Sequence, residues 1–394
     1  MTHSVLFLAA TAAAAVPGLS PVLVREVRAR AGARFQVGFV EDSQRRRWVV
    51  RVPRDAVSGA AQDASAELLT MIARRLPFAV PAPEGFVSVS DRGRAMVYPY
   101  LDGRPLRAVG LPGGPGPAAE LGRAIAAVHN LDRGLYEELT LPSYDAEESR
   151  RRHLADLDRG AGTGRVPQQL LSRWERRLDD VSLWRFAPAT LHGRLAPHHA
   201  LALFDDPEDA TSGRIGAVLG WDHAFVGDPA EDLAAVVGAA PRDAVDAVLE
   251  AYAMARPEVP DPHLEQRAHL LVELRMLDDV LAALANSDQQ ATEEAVDALR
   301  ALAREVGQET TGHPANPTST APPTPGGGAV SVVYEPHPTT DQLYQAGSPP
   351  TAVGPVGSAG GQTTPPSEGR VSAHQRRHRS AEDVTSSEGA AHRG

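Results

Sequence analysis

Three short motifs between residues 191 and 234 carry the side chains best suited to chemistry. Residues 191–201 read Leu-His-Gly-Arg-Leu-Ala-Pro-His-His-Ala-Leu, residues 219–222 read Leu-Gly-Trp-Asp, and residues 227–234 read Gly-Asp-Pro-Ala-Glu-Asp-Leu-Ala. Imidazoles and carboxylates in one stretch could move protons or bind a metal ion. The chain has no cysteine, which excludes disulfides, thiolate metal sites and cysteine nucleophiles. Any reactive site must therefore use oxygen and imidazole groups.

In order and spacing, the three motifs resemble the catalytic segment of the aminoglycoside and macrolide phosphotransferases, a superfamily with a protein-kinase-like fold. That segment typically reads His-Gly-Asp-Leu-x-x-x-Asn, then an Asp-Trp element, then Gly-Asp-Pro-x-x-Asp-Leu-Ala. The last motif is matched without a departure, and the resemblance extends over residues 20–306. It implies transfer of a nucleotide γ-phosphate to a hydroxyl of a small molecule, with ATP or GTP as the donor.

Three positions in these motifs depart from the family pattern. Arg194 stands where the family has its catalytic Asp, His199 where it has a metal-binding Asn, and Gly220 where it has the Asp that is the principal magnesium ligand. Arginine cannot accept a proton at ordinary pH, and glycine offers no side-chain oxygen to a hard cation. We therefore expect a catalytically impaired phosphotransferase in which an ordinary magnesium site is doubtful. The alternative is a pseudokinase-type binding or scaffolding module.

Neighbouring residues offer two other ways to hold a metal ion. Asp222 lies two residues after Gly220 and is either a substitute metal ligand or a structural carboxylate after Trp221; we prefer the structural interpretation. His198 and His199 could bind a softer metal, but adjacent histidines on a loop usually point apart. Asp222 therefore stays as the alternative metal ligand.

The other polar residues of the motifs fit structural roles. His192 belongs to the catalytic loop, yet in this superfamily it is more often a packed, hydrogen-bonded residue than an acid or base. Asp228 and Asp232 follow a Gly-Asp-Pro turn that leads into a helix, where carboxylates cap the helix or accept N–H groups of the catalytic loop. These residues support the fold and say little about activity.

The resemblance also places a nucleotide site earlier in the chain. Arg51 stands where the family has its phosphate-pairing lysine, and Glu67 on the following helix stands where the partner carboxylate is expected. Residues 96–103, which include Tyr98 and Tyr100, resemble the strand and linker around the adenine pocket. The chain contains no lysine, so the arginine at position 51 also has a compositional explanation.

Apolar periodicity predicts a small sheet lobe followed by a larger helical lobe. The first lobe has predicted strands over residues 35–40, 48–52, 86–89 and 94–100 and a helix over residues 62–76. The second has predicted helices over residues 118–130, 168–178, 244–255, 264–285 and 292–306 and short strands over 201–204 and 215–219. The predicted fold class is α+β: a two-lobed, protein-kinase-like fold with a small antiparallel-sheet N-lobe and a helical C-lobe.

Four parts make up the predicted domain organisation. They are an N-terminal helix over residues 1–19, the N-lobe over 20–103, the C-lobe over 104–307, and a disordered tail rich in Pro, Gly, Ser and Thr over 308–394. The apolar run over residues 5–16 lacks the positively charged region of a secretion signal and is too short to span a bilayer. We expect a helix that stops at Pro17 and a cytoplasmic protein; a secretion signal is the alternative.

Composition limits the partners. The net charge of -11 argues against a nucleic-acid binder, because neutralising phosphates needs a basic surface. The expected partners are a small-molecule substrate or a nucleotide, without nucleic acid and without a membrane. The tail could recruit a protein partner. Acceptor specificity is expected to depend on the segment over residues 131–182, whose pocket shape the sequence does not reveal.

Overall fold

The computed structural model describes residues 4–27, 33–206 and 208–311 of the chain, with side chains described as far as residue 307. The tail predicted over residues 308–394 lies outside these residues, apart from the backbone of its first four. The prediction of a disordered tail therefore stays a prediction.

The N-lobe begins with the helix predicted from the first apolar run. This helix, α1 (Val5–Ala15), has Ser4 as its N-cap and ends two residues before Pro17. Its buried face packs on the N-lobe sheet, and a Cβ at Gly38 would lie 2.8 Å from a methyl carbon of Leu8. Gly38 therefore allows the helix to lie close against the sheet.

A five-stranded antiparallel sheet forms the body of the N-lobe, with the order β1-β2-β3-β5-β4. Its strands are β1 (Pro21–Glu26), β2 (Phe35–Asp42), β3 (Arg47–Pro53), β4 (Gly85–Ser88) and β5 (Arg94–Pro99). Helix α2 (Ala56–Ile72) connects β3 to β4. It starts six residues before the predicted start, because the Asp55 side chain accepts the backbone N–H of Ser58 at 2.7 Å and caps it.

The C-lobe is mostly helical and carries two small antiparallel sheets, one of order β6-β8-β9 and one that pairs β7 with β10. Its strands are β6 (Arg104–Pro105), β7 (Ala189–Leu191), β8 (Ala200–Phe204), β9 (Gly213–Val218) and β10 (Phe225–Gly227). Its helices are α3 (Pro117–His129), α4 (Gly134–Glu138), α5 (Ala146–Gly162), α6 (Gln168–Asp179), α7 (Ala230–Val237), α8 (Arg242–Ala255), α9 (Leu264–Ala285) and α10 (Gln289–Thr311). The predicted α+β, two-lobed fold class is confirmed.

Close helix packing organises the C-lobe core. A Cβ at Gly122 of α3 would lie 2.2 Å from the carbonyl oxygen of Val248, so only glycine allows α3 and α8 to approach this closely. Trp174 and Tyr252 are among the largest fully buried side chains of this core. None of the described helices is both long enough and apolar enough to cross a membrane.

A buried ionic cluster connects α9 to the turn before α7. Arg267 is fully buried and forms two hydrogen bonds to the Asp228 carboxylate, at 2.7 and 3.0 Å. The same guanidinium donates to Asp261 at 2.7 and 2.9 Å and to the carbonyl oxygen of Leu183 at 2.9 Å. Burial disfavours both charges, so the cluster is stable only while all of its partners are present.

Replacing the guanidinium at the centre of this cluster should destabilise the protein strongly. Arg267→Met leaves the buried Asp228 carboxylate without its counter-ion, and we expect a loss of about 3–5 kcal/mol in the free energy of unfolding. Urea unfolding followed by circular dichroism measures it. Arg300→Ala is the matched control: Arg300 is exposed on α10, and its removal should cost less than about 0.5 kcal/mol. Similar losses in the two variants would show that the buried ionic cluster around Arg267 does not contribute specially to stability.

Candidate functional site

The three sequence motifs meet where the two small C-lobe sheets adjoin. Residues 192–199 connect β7 to β8, and residues 219–222 follow β9 and lead to β10. Because β7 pairs with β10 and β8 pairs with β9, the two connecting segments lie side by side. The backbone N–H of Leu219 donates to the carbonyl oxygen of His199 at 2.9 Å. The structure thus brings together the residues that the motifs singled out.

The loop over residues 192–195 is held by one buried carboxylate. Asp232 accepts the backbone N–H of His192 at 2.7 Å and that of Leu195 at 3.0 Å. His129 Nε2 lies 3.3 Å from the same carboxylate, and His129 Nδ1 lies 2.9 Å from the Tyr252 hydroxyl. Burial raises the pKa of Asp232, but its hydrogen bonds and the neighbouring His129 outweigh this and hold the pKa below its usual value. Asp232 therefore fixes the loop from inside the core.

The neighbouring motif residue Asp228 has a structural environment as well. Besides its bonds to Arg267, its carboxylate accepts the backbone N–H of Ala230 at the start of α7, at 3.0 Å. Its side chain is buried and lines none of the cavities described below.

The rings of three loop histidines lie close together, with His198 packed edge-on against His199. The rings of His198 and His199 lie 4.3 Å apart between centroids, and His192 lies 5.3 Å from His199. The expectation that adjacent histidines point apart is therefore wrong, because the short 3₁₀ turn Pro197–His199 packs both rings against the core. Burial lowers the pKa of His198 to about 4 and holds the pKa of His199 well below its usual value, so both rings are neutral near pH 7.

His192 is a packed loop residue. Its Nε2 lies 2.7 Å from the carbonyl oxygen of Leu219, so Nε2 carries the proton and donates. Its ring lies 4.9 Å from that of Trp221, and its Nδ1 is buried without a hydrogen-bond partner in the described part of the chain. Burial lowers the pKa of His192, which keeps the ring neutral.

His199 and Gly220 occupy the two family positions for metal ligands. The His199 ring lies where a side chain at position 220 would otherwise be. A Cβ on Gly220 would lie 2.9 Å from both Cδ2 and Nε2 of the His199 ring. Gly220 also has φ +84°, in the left-handed region that favours glycine. Among the described residues, no three His, Asp or Glu side chains are grouped as a metal site requires. The residues present do not fit a magnesium ion here, because neutral imidazole and glycine provide no hard oxygen ligand.

Asp222, the alternative metal ligand, is paired with Arg51 instead. Arg51 Nη2 lies 2.5 Å from Asp222 Oδ2, and both side chains are largely buried. The Arg51 guanidinium also lies 3.5 Å from the centroid of the Phe35 ring. Burial raises the pKa of Asp222, but the Arg51 charge outweighs it and holds the pKa below its usual value. This ion pair connects β3 of the N-lobe to the segment after β9.

Glu67 does not take part in this pair. It lies on the exposed side of α2, whereas Ser65 on the buried side places its Oγ 3.5 Å from Asp222 Oδ1. Two residues along a helix turn the side chain by about 200°, so a shift of two positions moves it to the opposite face. The structure thus places Ser65, and not Glu67, beside Arg51 and Asp222.

Tyr98 and Tyr100 occupy different environments at the junction of the lobes. Tyr98 is buried, which raises its pKa to about 12 and keeps the phenol neutral. It lines a cavity of only about 10 Å³ beside Arg51 and Gly220, which holds at most one water molecule. Tyr100 is half-buried, and the Arg47 guanidinium lies 4.5 Å from its ring centroid.

A larger cavity opens on the other side of the loop. It has a volume of about 430 Å³ and lies between α2, α5, α9 and the motif loops. Its wall includes the charged residues Asp156, Arg194, Asp222, Glu231, Arg275 and Asp278. Arg194, at the family position of the catalytic carboxylate, is partly exposed to this cavity. The catalytic loop therefore presents a cation to the cavity at this position, and not a proton acceptor.

Asp278 is a carboxyl of the cavity wall with a raised pKa. Its limited access to water, together with the charges of Asp156 and Glu231, raises its pKa to about 7, although Arg194 opposes the shift. Glu231 is itself paired with Arg275 at 3.1 Å. At neutral pH Asp278 is therefore poised between its acid and carboxylate forms.

Comparisons with known proteins agree on the family. The model of the phosphotransferase enzyme family matches residues 26–270, which is more than half of the chain. The chain belongs to this family. Among curated proteins, the uncharacterized protein YcbJ of Bacillus subtilis (strain 168) is 26% identical over 216 residues, which are 51% of this chain and 66% of YcbJ. The chain thus spans just under two thirds of that relative.

Solved structures of similar fold include two macrolide phosphotransferases. The macrolide 2'-phosphotransferase MphH from Brachybacterium faecium is 29% identical, with a TM-score of 0.62 over 72% of this chain and 94% of MphH. A macrolide 2'-phosphotransferase type I is 26% identical, with a TM-score of 0.62 over 76% of this chain and 98% of the other. The GDP and kanamycin complex of APH(2")-IIia is 15% identical, with a TM-score of 0.62 over 78% and 100%, and shows the shared fold alone.

Three site residues of this phosphotransferase-family protein, Ser65, Asp156 and Asp278, lie outside the motifs that the sequence singles out. Helix α5, which carries Asp156, has a capping box in which Asp145 and Glu148 bond each other's backbone N–H, and this pattern is visible in the sequence. Ser65 and Asp278 have no comparable signal. They lie in ordinary helical sequence, and only the packing of α2 and α9 brings them to the site.

We expect the contact between His199 and Gly220 to appear as non-additive stability. Gly220→Asp alone adds a side chain against the His199 ring at positive φ and should cost about 1–3 kcal/mol in the free energy of unfolding. Combined with His199→Asn, which removes the ring, it should cost at least 0.5 kcal/mol less than the sum of the single changes, an order-of-magnitude coupling for residues in contact. Urea unfolding of the four proteins measures this coupling.

The control cycle combines Gly220→Asp with Asp158→Asn. Asp158 is exposed on α5, and the three atoms nearest to a Cβ at position 220 all belong to His199, so this second cycle should be close to additive. Additivity in the His199 cycle would contradict the contact.

The raised pKa of Asp278 predicts a pH-dependent stability. Folded Asp278 keeps its proton up to about pH 7, whereas the unfolded carboxyl releases it near pH 4, so the folded state loses stability as pH rises between these values. Asp278→Asn removes this loss and should raise the melting temperature at pH 8 more than at pH 4.5. Asp158→Asn, an exposed change on α5, is the control and should not show this difference. An equal effect of Asp278→Asn at both pH values would contradict the prediction.

Proposed function

We propose that this chain is a phosphotransferase-family protein that binds a hydroxyl-bearing small molecule in its large cavity and is impaired in phosphoryl transfer. The observation that carries the proposal is the packing of the His199 ring against Gly220. Phosphoryl transfer relies on positioning and on neutralising the phosphate charges, mainly through divalent ions held by protein oxygens. Here the two positions that would supply those oxygens contain an imidazole and a glycine. The imidazole ring occupies the space that a side chain at the glycine position would need.

The state of Arg51 supports the same proposal. In the family pattern the cation at this position pairs with nucleotide phosphates, but here it is bound to Asp222 and stacked on Phe35. A nucleotide would have to compete with a carboxylate at 2.5 Å for the guanidinium. Removing a partner from a largely buried ion pair is costly, so ATP or GTP is expected to bind weakly.

The large cavity supports the small-molecule part of the proposal. Its volume of about 430 Å³ lies in the range of about 300–1,000 Å³ that is usual for small-molecule sites. Two similar structures, at 29% and 26% identity, are macrolide 2'-phosphotransferases. We therefore place the ligand of this chain in the broad class of hydroxylated small molecules to which macrolides and aminoglycosides belong.

A pseudokinase-type binding module is the alternative, and Arg194 favours it. A guanidinium at the catalytic position cannot accept the proton of an attacking hydroxyl. The two possibilities differ only in whether slow turnover remains. A protein partner bound through the tail and a cytoplasmic location remain predictions from the sequence.

The test is the effect of magnesium on nucleotide binding and turnover. We expect magnesium to tighten ATP or GTP binding less than tenfold in calorimetry, because the family's oxygen ligands are missing, and we expect ATP turnover well below the roughly 1 per second of ordinary kinases. The triple variant Arg194→Asp, His199→Asn, Gly220→Asp restores the family pattern and should turn over ATP measurably faster than the wild type. These groups act as a unit, so Arg194→Asp alone should gain little.

Two outcomes would contradict the proposal. Wild-type turnover at ordinary kinase rates would show that the site is competent as it stands. A folded triple variant without any gain would show that the losses at these three positions are not the cause of impairment. Asp158→Asn, far from the motifs in sequence and exposed on α5, serves as the unchanged reference.

A further inference from the structure

The charges on the wall of the large cavity are mostly paired within the protein. Three of its carboxylates have an arginine partner within ion-pair distance. The pairs are Asp222 with Arg51, Glu231 with Arg275, and Asp156 with Arg159. These groups are neutralised without a ligand, so they leave little net charge for one to bind.

Three charged side chains of the wall have no ion-pair partner in the described part of the chain: Arg194, Asp278 and Arg152. Arg194 has no carboxylate within 4.0 Å in the described part of the chain, and Asp278 has no arginine or histidine within the same distance there. The two therefore do not pair with each other, although the charge of Arg194 influences Asp278. The guanidinium of Arg194 and the carboxyl of Asp278 therefore give the cavity wall one cationic and one anionic group that are available to a ligand.

The third of these unpaired groups is Arg152, which also lines the cavity. Arg152 on α5 is exposed, and its guanidinium lies 3.9 Å from the centroid of the Tyr144 ring. It adds a second unpaired positive charge to the wall. A purely cationic ligand would therefore meet Arg194 and Arg152 as well as Asp278.

We propose that this cavity binds a zwitterionic small molecule, with an anionic group of the phosphate or carboxylate class on Arg194 and an amine on Asp278. The inference rests on the proposed function, in which the cavity is the small-molecule site. The guanidinium presents several N–H donors in a planar fork, which matches the two oxygens of a carboxylate or phosphate. The carboxyl of Asp278 is acceptor-only when ionised and suits an ammonium group.

Charge at the catalytic position decides between this ligand class and a plain polycation. A carboxylate at position 194 would attract an amine-rich ligand, whereas Arg194 repels one. The same guanidinium lies where the family's acceptor hydroxyl would be deprotonated, so it would face a phosphate or carboxylate carried by that part of the ligand. The replacement thus changes the ligand that the cavity favours and does more than remove a catalytic group.

Calorimetry at pH 8 with the full-length chain tests the proposal, since Asp278 is then mostly ionised. The probes are glucosamine 6-phosphate and muramic acid, which carry an amine with a phosphate or a carboxylate. Glucosamine and glucose 6-phosphate carry one group each. We expect at least one of the first two to bind tenfold or more tighter than both single-group sugars, and the better of the two identifies the anion.

Variants of Arg194 and Asp278 test which residue binds the anionic group of the ligand and which binds the amine. Arg194→Ala should reduce the affinity for the better probe at least tenfold and leave glucosamine unchanged or tighter, and Asp278→Asn should reduce it to the level of glucose 6-phosphate. Arg151→Ala and Asp158→Asn are matched controls, because both are exposed on α5 and neither lines the cavity, and they should bind as the wild type. Melting curves establish that each variant is folded.

Two results would overturn the inference. The first is glucosamine binding as tightly as glucosamine 6-phosphate and muramic acid, with Arg194→Ala improving all three, which indicates a plain cation site. The second is no binding of any probe at millimolar concentration. Either result leaves the impaired-transfer proposal standing, because that proposal depends on the nucleotide and magnesium measurements and not on these sugars.

Discussion

The site depends on one buried carboxylate. Asp232 has no exposed side-chain surface, and it accepts two backbone N–H groups of the loop that starts at His192. A buried carboxylate is unfavourable unless its hydrogen bonds are complete, so the loop conformation and the charge of Asp232 stabilise each other. Through His129 the same carboxylate reaches α3 and α8. The loop can therefore change its reactive side chains without losing its shape, because its backbone is held from the core.

The departures from the family's motif pattern lie within the family's fold. The match to the phosphotransferase enzyme family covers residues 26–270, and the structural similarity extends over most of the two macrolide enzymes. Within this frame, His199 and Gly220 fill a space that would otherwise be available to metal ligands, and Arg51 and Asp222 neutralise each other. Both arrangements are locally stable.

The two cavities beside the loop differ in volume. On the side of the Arg51 ion pair, aromatic and aliphatic packing leaves about 10 Å³, whereas about 430 Å³ remains on the side of Arg194. The N-lobe contributes α2 to the larger cavity, and α5 and α9 supply most of its charged wall. The charged groups of the larger cavity are therefore concentrated in the C-lobe.

The sequence by itself determined the family, the two-lobed α+β fold and the positions that depart from the catalytic pattern. These follow from local patterns: apolar periodicity defined β2, β3, α3 and α9, and the motifs fixed Arg194, His199 and Gly220 by their spacing. Strand β1 and helix α5 were not predicted, although α5 has a visible capping box.

Only the tertiary structure decided which side chains meet. It placed Ser65 and not Glu67 beside Arg51, because the face of α2 that turns inward depends on what packs against the helix. It also paired Asp222 with an arginine 171 residues away and placed Asp278 in a cavity wall, where no arginine or histidine of the described residues pairs with it. Long-range pairing and the shift of a carboxyl pKa depend on the distances between distant segments, and no local pattern in the chain encodes those distances.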